Sequence, residues 1–144
     1  MTRALLTLML VWAAPAYADV SARLPPTWRD SCAMRLDAAA AAANLAGHAR
    51  RDSLPLVKED GSPNPMQLVE FGDSSSGLMA MVGNEDQRRA DKPWTLTAHH
   101  GGKAFTEWFR RSHGIFAKLT LVNAAPRELF MSALDDCLKM GEPK

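Results

Sequence analysis

The sequence predicts a small single domain that is mainly α, with α+β as the alternative, whose first and last helices pack together and are joined by a disulfide. Three observations predict it. The stretch Ala125 to Gly141, APRELFMSALDDCLKMG, repeats Phe130, Ala133, Leu134 and Cys137 at helical spacing and makes one apolar face. The stretch after Thr27 does the same with Trp28, Cys32, Leu36, Ala39, Ala43 and Ala46, and its run Ala38 to Ala43 has the highest helix propensity. Each face carries one of the two cysteines, Cys32 and Cys137.

The N-terminus reads as an export signal. Arg3 is the charged start, Ala4 to Ala14 is an apolar run, and Ala16-Tyr17-Ala18 is an A-x-A cleavage site. The run is shorter than the about 20 residues that a membrane helix needs, so residues 1–18 are assigned to a signal peptide and 19–144 to one periplasmic domain. Removing the signal removes Arg3 and no acid, which leaves 16 basic and 16 acidic side chains. That balance argues against nucleic-acid binding, which shows a basic excess, and against electrostatic binding to an anionic membrane. Two cysteines in an exported chain favour a disulfide, with two buried free thiols as the alternative. Neither cysteine has a CxxC partner or a nearby histidine, so a catalytic thiol is disfavoured.

Taken in order, the first helix starts at Thr27, with Asp30 completing a capping-box pattern, and runs to about Ala49. Arg50 to Pro65 is irregular, punctuated by Pro55, Gly61, Pro63 and Pro65, with Leu54 to Val57 as a candidate edge strand. Gln67 to Phe71 is a short apolar run that periodicity leaves open between strand and helix, and Leu78 to Val82 is a second such run. Between them lies a polar loop, Gly72 to Gly77. Asn84 to Lys92 is charged and reads as a solvated loop. Trp94 to Thr97 reads as a strand. After Gly101-Gly102, Lys103 to Ser112 reads as a helix with Phe105, Trp108 and Phe109 on one side and Arg110 and Arg111 facing out. The alternation of Ile115, Ala117, Leu119 and Leu121 suits a half-buried strand, a further helix being the alternative. The last helix opens with Pro126 in its first turn, where proline is tolerated, and stops at Gly141, with Lys139 in the last turn.

The motifs with chemical content are few. Phe71-Gly72-Asp73-Ser74 resembles the nucleophile block of GDS-type esterases, in which a histidine further on serves as base. The Asp-x-x-His that family carries near its C-terminus has no match here, and His99, His100 and His113 lack the pattern. A small serine hydrolase using Ser74 is therefore the alternative, and no catalytic residue is assigned. His99-His100 invites a metal reading, but neighbours on a strand point to opposite faces. Met79-x-Met81 suits Cu(I) by chemistry and core filling by frequency. Gly101-Gly102-Lys103 lacks P-loop spacing. No metal and no cofactor are expected, and an envelope domain binding a small ligand or metal is the remaining alternative.

Two segments carry a family resemblance. Ser31-Cys32 in the first helix, and Leu134-Asp135-Asp136-Cys137-Leu138-Lys139-Met140 in the last, resemble the Ser-Cys and Leu-x-x-Cys-Leu-x-Met patterns of Tai-type immunity proteins of type VI secretion amidase systems. The resemblance implies a small, helical, periplasmic, non-enzymatic protein that inhibits a peptidoglycan-cleaving effector. A protein partner, such as a cell-wall amidase, would then be met by polar loops on a rigid scaffold. The candidate partner-binding residues are Asp73, Ser74 and Ser75 of the first loop and Glu85 and Asp86 of the second.

Overall fold

A computed structural model describes residues 24–25, 27–51, 60–61, 67–73, 75–85, 89–99 and 105–143. The signal-peptide assignment, 1–18, and the candidate edge strand Leu54 to Val57 lie outside them. Among the described residues, the elements in chain order are α1 (Trp28–Ala42), β1 (Leu68–Asp73), β2 (Leu78–Asn84), β3 (Lys92–His99), β4 (Thr106–Ser112), β5 (Ile115–Leu121) and α2 (Arg127–Met140). The strands form one antiparallel sheet in the order β1-β2-β5-β4-β3. The fold is α+β, which corrects the expectation of a mainly α domain: among the described residues, helix is confined to the two cysteine-bearing segments, and the elements between them are strands.

The physical reason lies in the apolar pattern. On β5, Ile115, Ala117, Leu119 and Leu121 are buried while Phe116, Lys118 and Thr120 are only half-buried, the period of two that a strand imposes. The register carries the buried face on through Leu78, Ala80 and Val82 of β2 to Val69 and Phe71 of β1. Both helices lie on this face, with Phe130 of α2 packed against Phe71 at 5.4 Å between ring centroids.

The segment expected as a helix, Lys103 to Ser112, supplies β4 instead. Ser112 pairs with Ile115 across a two-residue turn in which His113 (φ 51°) and Gly114 (φ 79°) both adopt the left-handed conformation. That is the turn that matches the twist of a tight hairpin. Gly114 is thus a hairpin residue. Arg110 and Arg111, expected together on one outer side, consequently point to opposite faces of the sheet. Arg110 reaches Asp135 of α2, and Arg111 stacks over Phe109 on the outer face.

The terminal helices meet as expected. Trp28, Cys32, Leu36 and Ala39 are buried on α1, and Phe130, Ala133, Leu134, Cys137 and Leu138 on α2. The Cys32–Cys137 disulfide joins them, with Cα atoms 5.2 Å apart, and Arg35 pairs with Asp136 at 2.9 Å on the exposed side. Thr27 occupies the N-cap of α1, but its side chain makes no capping bond. The helix ends at Ala42, short of the expected Ala49. Asn44 adopts φ 56° and turns the chain away, a conformation that terminates helices. Gly141 stops α2 without a left-handed conformation (φ −92°). What it provides is room: a Cβ there would stand 2.0 Å from the buried Ile115 Cδ1.

Candidate functional site

The structure separates the two loops that the sequence singles out. Asp73 ends β1 and Ser75 lies in the turn to β2, whereas Glu85 follows the far end of β2. Seven strand residues at about 3.4 Å each put them roughly 20 Å or more apart, so they do not form one site. Ser74 and Asp86 lie outside the described residues.

Asp73 organises its turn. Its Oδ1 accepts from Ser75 Oγ at 2.6 Å and from the backbone N–H groups of Ser75 and Ser76, each at 2.9 Å. The Ser75 hydroxyl, then the two N–H groups, hold its carboxyl below the ordinary aspartate range, because each bond stabilises the charged form. Arg50 closes the other side, donating to the Gly72 carbonyl at 2.8 Å and pairing with Glu70 at 3.5 Å.

Glu85 is not a solvated loop charge. Arg111 grips it through two parallel bonds, Nε to Oε2 at 2.8 Å and Nη2 to Oε1 at 2.9 Å, with the side chains only 13% and 14% exposed. Asn84 beside it is buried as the last residue of β2. The expected solvated segment from Asn84 to Lys92 therefore begins inside the sheet.

What lies next to the Asp73 turn is a cleft of about 460 Å³ at the end of the molecule. Its walls are Ala42, Ala43 and Leu45 after α1, Ser76 to Leu78 of the turn, and Pro126 and Leu129 opening α2. A smaller hollow of about 260 Å³ also takes in Leu45, Ser76 and Leu78 and reaches Phe71, Asp73 and Arg50. Leu45 (39%) and Leu129 (41%) are exposed, and Val122 (57%) borders Gly77. Asn44 ends α1 before Leu45, and Leu129 stands on a flank of α2 away from its buried stripe of Phe130, Ala133, Leu134, Cys137 and Leu138, so both leucines face the cleft. Sequence reasoning missed these apolar residues, since the helix was expected to run through Leu45.

The remaining sequence candidates scatter. His99 is exposed near the end of β3, while His100 and Gly101 to Lys103 lie outside the described residues. Met79 and Met81 are half-buried on the outer face of β2. Among the described residues, no group of three or more His, Cys, Asp or Glu side chains could hold a metal ion, and no helix is long and apolar enough to cross a membrane. The disulfide is compatible with an oxidising compartment. No family model matches the chain, and the searches of curated proteins and solved structures find no match either.

Proposed function

We propose that this chain is a periplasmic protein-binding module that neutralises a secreted, peptidoglycan-degrading effector of the amidase type, and that it does so through the end cleft. The observation that carries the reading is the grouping of exposed apolar side chains there. Among the described residues, the large exposed hydrophobics are Met34, Leu45, Leu96, Val122 and Leu129. Three of the five gather around one concavity beside the Asp73 turn. A scattered exposed leucine is ordinary; a cluster rimmed by polar groups marks a contact surface.

The resemblance of the two cysteine segments to immunity proteins supports the choice of partner, and the disulfide supports the compartment. In this reading an apolar side chain of the effector enters the cleft between Leu45 and Leu129. Asp73 lines the adjoining hollow, which shares Leu45, Ser76 and Leu78 with the cleft, and supplies a hydrogen-bond acceptor there. The disulfide fixes the two helices whose ends make the walls, so little order is lost on binding.

The test is affinity capture from periplasmic extract with the disulfide-bonded protein, beside Leu45→Glu/Leu129→Glu. Wild type is expected to retain a wall-degrading enzyme and inhibit it. The double variant should lose at least about 2 kcal/mol of binding, as removal of a central anchor does, with an unchanged melting temperature. Equal capture by both proteins would move the contact elsewhere. A captured enzyme that stays fully active would sink the inhibitory reading.

A further inference from the structure

β2 places two thioethers side by side on the face of the sheet away from the helices. Its buried residues Leu78, Ala80 and Val82 point to the helices, so Met79 and Met81, which alternate with them, point the other way. Neither belongs to the core, nor packs against it, so the core-filling role that methionine commonly has does not account for them. Residues two apart on a strand are about 6.7 Å from each other. Methionine has three rotatable bonds, enough for both sulfurs to reach one ion between them. The two side chains are half-buried and stand roughly perpendicular to the sheet. Among the described residues, no helix or strand packs on that face, so the sulfur-bearing ends are its outward parts.

The neighbours leave room for a cation. Met79 stands between Gly72 of β1, which has no side chain, and Thr120 of β5. Thr120 Oγ1 is buried and without a partner among the described residues, so an oxygen with unused lone pairs lies beside Met79. Met81 stands between Glu70 of β1 and Lys118 of β5. Both of these charges are engaged away from β2. Lys118 pairs with Glu107 of β4 at 3.3 Å, and Glu70 with Arg50 at 3.5 Å on the far edge of β1. A cation between the sulfurs therefore meets no unpaired ammonium.

The geometry points to Met79 and Met81 as a binding site for one soft monovalent cation, Cu(I) or its redox-inert analogue Ag(I). Thioethers are neutral, polarisable ligands that select Cu(I), whereas hard cations take oxygen. Cys32 and Cys137 are joined to each other, so no thiolate competes for the ion. The end cleft lies on the helix side of β2 and this site on the other, so the two stand independently.

The experiment is an NMR titration of the disulfide-bonded protein, labelled with ¹³C at its methionine methyl groups, with silver nitrate in chloride-free buffer. The Met79 and Met81 signals are expected to shift together and saturate at one ion per protein, with a Kd below about 100 µM. Met34, 68% exposed on α1, is the lone-thioether control on the same molecule, and its signal should stay in place over that range. Cu(I), kept reduced with ascorbate, should reproduce the paired shift. Met79→Leu and Met81→Leu should each raise the Kd at least about tenfold, at unchanged melting temperature, because leucine and methionine exchange at little cost. Leu45→Glu/Leu129→Glu should bind the ion as wild type does. Absence of any shift at about 1 mM Ag(I), weaker than an adventitious millimolar complex, would overturn the proposal. So would a Met34 signal that moves in parallel with the pair, undiminished affinity in either leucine variant, or a response to Ag(I) that Cu(I) does not reproduce.

Discussion

Trp28 Nε1 donates a hydrogen bond to the carbonyl oxygen of Cys137 across 2.9 Å and 109 residues of sequence. The bond is buried, beside the disulfide, and Trp28 is 1% exposed. It satisfies the one polar atom of a large core side chain, so the indole fills the space between α1 and α2 without leaving an orphaned donor. Trp28→Phe is expected to lose about 1–3 kcal/mol, from the bond left unmade at Cys137 and from the smaller ring. Equilibrium urea denaturation measures it, and a loss under about 0.5 kcal/mol would show that the bond contributes nothing.

The disulfide makes a second prediction. Cys32→Ala/Cys137→Ala opens a loop spanning 105 residues, which on the chain-entropy account costs about 4–5 kcal/mol. Stability measured with and without reductant should differ for wild type by a similar amount. The double alanine variant should be indifferent to reductant. A reductant effect that persists in it would place the sensitivity elsewhere.

Glu85 and Arg111 are expected to be worth more together than apart. Each side chain is about one-seventh exposed, so removing one partner leaves a poorly solvated charge. Glu85→Ala should destabilise by about 2–4 kcal/mol. Adding Arg111→Ala should cost much less than a second loss of that size, and a double-mutant cycle reads the coupling. Additive losses would mean that the two groups act separately.

Asp73 makes stability depend on acid. Its carboxyl titrates below the ordinary aspartate range because Ser75 and Ser76 bond to the charged form. A group whose folded value is depressed contributes stability that is complete above its unfolded value and is lost as the pH falls through its folded value. Wild type and Asp73→Asn should therefore differ near neutral pH and converge in strong acid. Carbon-detected NMR of the side-chain carboxyl would show the lowered titration directly; a midpoint at the usual aspartate value would refute it.

The parts of the fold legible in the sequence are those with one wet face and one dry one. On α2, Phe130, Ala133, Leu134 and Cys137 are the core residues that helical spacing indicates, and β5 shows its strand period in the same way. β4 was illegible for a physical reason. It is half-buried on both faces, with Trp108 towards α2 and Phe109 stacked on Phe116 at 6.3 Å on the outer face. Adjacent aromatics erase the alternation, and Phe105, Trp108 and Phe109 then imitate a helical stripe. The pair His113-Gly114 was the available signal, a two-residue turn between aromatic and β-branched runs. Of the candidate site, the polar turn at Asp73 was visible as a loop of short polar residues. Its apolar neighbours were not, because the exposure of Leu45 follows from where Asn44 ends α1, and that of Leu129 from which flank of α2 the sheet leaves bare.

Among the described residues, all five strands lie between Cys32 and Cys137, so the bond closes the chain that carries the sheet into a covalent ring. A ring answers to breakage differently from a string. One cut by a protease, anywhere from the end of α1 to the start of α2, opens the circle but sheds no fragment. The severed ends stay on one molecule, each anchored to a helix, and the sheet is free to reclose around the gap. Only a second cut detaches a piece. Loss of a fragment between the two cysteines therefore follows the rate of double scission rather than single.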